Sequence, residues 1–163
     1  MDELGFWELI EAGGRAGSCA AQAQVVADGL REAGLAEVVD FSARMDECLD
    51  ALYTWELWAV AYLAEGGCSD DGFEYFRCWV IGSGREAFAL AASDPIAFGM
   101  TIAVDDDDRS CEELLYVAGT VHEELTGAYW PPRAVPHPTS PRGEEWEEDE
   151  LDTRYPELSA RWS

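Results

Sequence analysis

The sequence predicts an all-α single domain, a compact bundle of about six or seven helices with an irregular proline-rich C-terminal strap. Three observations carry this. Apolar residues recur at helical spacing, as in Trp55, Trp58, Ala59, Tyr62 and Leu63. Cap and stop residues bracket those runs, and no alternating strand pattern survives a pass along the chain. From Tyr129 onward prolines replace helical patterning.

Asp2 or Glu3 starts a first helix that carries Phe6, Trp7, Leu9 and Ile10, and Gly13-Gly14 ends it. Ser18 caps a second helix with Val25, Val26 and Leu30 on its apolar face; Gly34 stops it. The third helix spans about Ala36 to Tyr53, with Val38, Phe41, Met45, Cys48, Leu49 and Leu52 on one stripe. Thr54 caps the fourth, which Gly66-Gly67 terminates. Ser69 caps the fifth, with Asp70 and Asp71 in its first turn, where the helix dipole favours anions.

Ser83 to Glu86 and Ser110 to Glu113 both read S-x-x-E, the pattern of a capping box opening a helix. Asp94-Pro95 supplies an N-cap and a first-turn proline for a short helix from Ile96 to Val104. Asp105 to Asp108 is an acidic turn, and Gly127 ends the last long helix. Residues 1–128 thus form the helical domain. Residues 129–163 form a strap whose Trp130, Trp146, Leu151, Tyr155, Leu158 and Trp162 are expected to dock on it.

The charge is extreme: 34 acids against 10 arginines, with no lysine, give a formal −24. Such a chain repels phosphate backbones and anionic lipid, so nucleic acid and membrane are poor partners. The 163 residues suffice for a real core, and 48% hydrophobic content argues against disorder. The acidic N-terminus lacks the basic start of a signal peptide, and the apolar run from Leu57 to Ala64 is too short for a membrane span. The five cysteines are odd in number and widely spaced, with no CxxC. This predicts reduced thiols in a cytoplasmic protein, with neither a disulfide framework nor a zinc site.

Standard local motifs are missing. His122-Glu123 begins like HExxH, but Thr126 stands where the second histidine belongs. Without lysine there is no P-loop, and the acidic run at 105–108 lacks EF-hand spacing. No metal or cofactor is therefore called for. The remaining constellation lies in Trp55 to Glu86. Glu56, Asp70, Asp71, Glu74, Arg77 and Arg85 form a candidate carboxylate–arginine cluster. Trp55, Trp58, Tyr62 and Trp79 would wall an aromatic pocket around it, if the fourth and fifth helices pair antiparallel. One reading is an ion-pair network that fixes helix register. The other is a site in which arginine orients an anion and a carboxylate moves a proton.

The run GGCSDDGFEYFRCWVIGSGRE, preceded by LWAVAYL, resembles the bacterial domain of unknown function DUF4240. The flanks fit too: FWELIE near the start, and P-x-G-x-x-W-x-E-x-x-L-x-x-x-Y-P-x-L from Pro141 to Leu158, so the resemblance spans nearly the whole chain. It implies a small, mostly helical domain and transfers no reaction, cofactor or catalytic residue. Two functions remain open. One is a non-catalytic binding or regulatory module that recognises a protein, a basic one among the options, or a small ligand. The other is an enzyme acting on an anionic substrate at the carboxylate–arginine cluster.

Overall fold

The computed structural model describes residues 1–14, 17–130 and 136–163. Its helices are α1 (Glu3–Gly13), α2 (Cys19–Ala33), α3 (Leu35–Ala51), α4 (Trp55–Glu65), α5 (Asp70–Gly82), α6 (Arg85–Ser93), α7 (Pro95–Thr101) and α8 (Glu112–Thr126). A 3-10 turn (Glu148–Glu150) leads into the short α9 (Leu151–Arg154) and α10 (Pro156–Arg161). Among the described residues there is no strand, only an isolated bridge between Thr54 and Arg142. No helix among the described residues is long and apolar enough to cross a membrane.

The caps Asp2, Ser18, Thr54, Ser69 and Asp94 each accept a backbone N–H in the first turn of the expected helix. The two S-x-x-E boxes do not form. Gly84 and Cys111 occupy the N-cap positions instead. Ser83 bonds back to the Trp79 carbonyl, and the Glu11 carboxylate of α1 accepts the Arg85 N–H at 2.9 Å. A tertiary partner has thus replaced a local cap. The strap is not wholly irregular either, since α9 and α10 follow its extended part; residues 131–135 lie outside the described residues.

Helix α5 lies at the centre and touches α1, α2, α3, α4, α6 and α8. From Phe76 to Gly82 every residue is buried, as expected of a helix enclosed on all sides. Helices α4 and α5 touch, but α4 packs chiefly on α7 and α5 chiefly on α8. The reason lies in which α4 residues are large. Leu57, Ala59, Val60, Ala61 and Ala64 form its buried face, while Trp55, Trp58 and Tyr62 are half-exposed. Gly99 of α7 permits the close approach, because a Cβ there would stand 2.9 Å from Val60 and 2.8 Å from Leu158. On α2, Val25 is exposed, and Ala23, Val26, Ala27 and Leu30 face the core with Gln22.

Helix C-termini are stabilised from a distance. The last turns of α3, α4 and α5 contain no basic residue. Arginines from elsewhere donate to orphan carbonyls of α3 and α4: Arg77 to Leu49 and Arg142 to Ala51 on α3, and Arg109 to Ala64 on α4. A cation at that end complements the helix dipole as well as the unpaired oxygen. Buried Gln22 does the same without charge, donating to Ile10 and Gly82. In a chain so rich in acid, two of its ten arginines, Arg77 and Arg109, are buried.

The cysteine expectation is corrected in one respect. Cys19 and Cys111 form a disulfide, while Cys48, Cys68 and Cys78 are free. Their separation of 92 residues hid the pairing. Packing of α2 on α8 brings the two helix starts together. Closing so long a loop stabilises the fold by ~4–5 kcal/mol in the chain-entropy account. The cysteines therefore no longer argue for a reducing compartment.

Candidate functional site

Part of the predicted cluster converges. Asp70 and Asp71 in the first turn of α5, with Glu74 and Arg77 one and two turns on, face the C-terminal end of α3. With Asp50, Tyr53, His137, Pro138 and Thr139 they line a recess of about 360 Å³. Ser69 fixes the start of α5 by accepting the Gly72 N–H. One further turn of helix then carries the side chain of residue 77 inward.

Arg77 is the floor of this recess, and only 7% of it is exposed. Nη1 donates to the Leu49 carbonyl at 2.9 Å. The guanidinium carbon lies 4.6 Å from the Tyr53 ring centre and 4.9 Å from that of Phe73. Among the described residues its Nε is buried without a partner, and no carboxylate forms an ion pair with it. Burial pushes its pKa down, with the charge of Glu74 opposing that shift. Asp70 and Asp71 are exposed and Glu74 half-buried around it. His137 of the strap sits with Nδ1 3.4 Å from Asp50 Oδ1. The arrangement presents an acidic rim over a cationic floor whose donors are not all used.

The other predicted residues lie elsewhere. Glu56 is exposed at the start of α4 and reaches neither arginine. Arg85 is exposed and pairs with Glu3 at 2.9 Å. The ion-pair network joining these groups therefore does not form.

The expected aromatic pocket is filled by the strap. Trp55 stacks on Trp58 at 5.3 Å, and Trp58 on Phe73 at 5.0 Å. Trp146 meets Trp55, Trp58 and Tyr62 edge-on, and its Nε1 donates to the Trp55 carbonyl at 2.6 Å. Arg142 secures the same stretch through backbone bonds to Tyr53 and Trp55, each of 2.9 Å. Trp79 is on another side of the molecule, against Phe76 and Phe98, and borders a separate recess at the disulfide.

Asp50, Tyr53 and His137 were not among the predicted site residues. Asp50 reads as a solvated helix position, Tyr53 as a helix break, and His137 as part of a proline-rich loop. Only the docking of the strap beside α3 joins them.

Fold and site together define a small all-helical domain with an acid-rimmed, arginine-floored recess. The chain belongs to the DUF4240 family, described as a protein of unknown function, whose model matches residues 1–124. The match ends before the strap, so the resemblance read in Pro141 to Leu158 lies beyond it. No curated protein and no solved structure matches the chain.

Proposed function

We propose that the protein is a non-catalytic binding module that takes a basic segment of a protein partner at the recess over Arg77. The observation that carries this is an arginine with no ion pair among the described residues, at the base of three carboxylates, Asp70, Asp71 and Glu74. A lysine or arginine side chain satisfies the rim, and a backbone carbonyl of the same segment accepts from Arg77. The separation of Glu56, Arg85 and Trp79 from the recess, and the filling of the Trp55–Trp58–Tyr62 face by Trp146, weigh against the enzyme that the sequence left open. The one feature in its favour is the His137–Asp50 contact, the geometry of an oriented base.

Titration calorimetry with a short Arg/Lys-rich peptide at two salt concentrations tests the proposal. Asp71→Asn with Glu74→Gln should weaken binding about tenfold, or ~1.4 kcal/mol. The charge-matched pair Asp105→Asn with Asp107→Asn should change it less than about twofold. Equal losses in the two pairs would mean that the peptide senses only net charge, and the site would be abandoned.

A further inference from the structure

The disulfide lies where two helices begin. Cys19 is the first residue of α2 and Cys111 the N-cap of α8. Their Cα atoms are 5.3 Å apart. The Glu113 carboxylate stands near both sulfurs, with one ligand atom from each of the three residues all within 4.8 Å of one another. Both sulfur-bearing residues line a recess of about 300 Å³, whose wall also carries Asp106, Asp108 and Ser110. That recess is independent of the one over Arg77.

We propose that, once the disulfide is reduced, Cys19, Cys111 and Glu113 form a zinc site, with the disulfide as its closed, metal-free form. The chemistry of the donor set supports this. Two thiolates and a carboxylate are standard ligands for this borderline-soft ion, and zinc is four-coordinate. The fourth position falls to a water, for which the recess has ample room. Opening requires a thiol or phosphine reductant. The S–S bond gains two electrons and two protons to give two thiols, and the reductant is oxidised correspondingly. The ion then replaces both thiol protons, which leave to solvent. The helix starts favour the resulting thiolates. Asp106, Asp108, Glu112 and Glu113 offset the positive helix ends as seen by the incoming cation.

Sequence spacing could not show the site, because its ligands come from helices far apart in the chain. The site differs from zinc-binding motifs in having no CxxC or histidine.

The test uses the full chain, with and without phosphine reduction, titrated with Co²⁺ and then with Zn²⁺. The reduced chain should develop a thiolate-to-cobalt charge-transfer band at one equivalent, and Zn²⁺ should bleach it. The oxidised chain should show none. Cys19→Ser should abolish the band, and Glu113→Gln should weaken Zn²⁺ binding at least about tenfold. Cys68→Ser should leave both unchanged. Far-UV circular dichroism runs alongside each titration. The proposal is overturned if the reduced, folded chain gives no band, or if the band persists in Cys19→Ser. Reduction that unfolds the helices without recovery on adding Zn²⁺ would overturn it equally.

Discussion

Replacing Arg77 with methionine separates two accounts of the central charged strip. The guanidinium donates to Leu49 at the end of α3 and lies against the Tyr53 and Phe73 rings. Leaving a buried carbonyl without its donor costs ~1–3 kcal/mol. Each ring contact adds ~0.5–1 kcal/mol. Against these stands the relief of no longer holding a charge out of water, the cause of the downward shift of the Arg77 pKa. Methionine also refills much of the side-chain volume. The net expectation is a loss of ~2–3 kcal/mol. For a domain of this size that lowers the thermal midpoint by ~4–12 °C.

Urea unfolding with linear extrapolation, together with thermal melts followed by circular dichroism, measures the loss. Glu74→Gln and Asp71→Asn should each stay within ~0.5 kcal/mol of the parent, because neither residue forms an ion pair among the described residues. If either carboxylate variant lost as much as Arg77→Met, an ion-pair network would be holding α3 to α5, and Asp71 and Glu74 would be structural and not a binding rim. If Arg77→Met matched the parent, capping of α3 by this arginine would be wrong.

Two further outcomes follow from packing and burial. Gly99→Ala should destabilise by ~1–3 kcal/mol, since its Cβ must displace Val60 or Leu158; a neutral result in urea would show that α7 and α10 shift freely. Burial pushes the Cys78 thiol from its ordinary 9.0 up to about 12. Below the lower value both states hold the proton and stability is full. As pH rises above it, only the unfolded chain loses the proton, and stability falls by ~1.4 kcal/mol per pH unit until the folded thiol also titrates. Between pH 8 and 10.5 the parent should therefore lose ~2 kcal/mol more than Cys78→Ala. Identical slopes would assign the alkaline loss to other groups.

The pattern of sequence-readable features is physical. A helix start such as Ser69, or a left-handed stop such as Gly66 at φ 67°, depends on a few neighbouring residues, so the sequence reports it directly. The S-x-x-E patterns misled because Ser83 had a competing carbonyl one turn back, and Glu11 was available across the fold. The tryptophans misled for a similar reason. Their helical spacing locates one face of α4, but not whether that face meets the core, a ligand or the chain's own tail. Trp146 settles that, and it is 91 residues from Trp55.

The sequence by itself determined an all-helical chain, most helix boundaries, the acidic surface, and a candidate strip at Asp70, Asp71, Glu74 and Arg77. All of these follow from local propensity, periodicity or composition. Tertiary structure alone decided that Arg77 caps α3, that Glu56 and Arg85 stand apart from it, and that Asp50 and His137 join the recess. It also decided that Cys19 meets Cys111. These are contacts between residues far apart in the chain. Their formation depends on how whole helices pack, and no local signal encodes that packing.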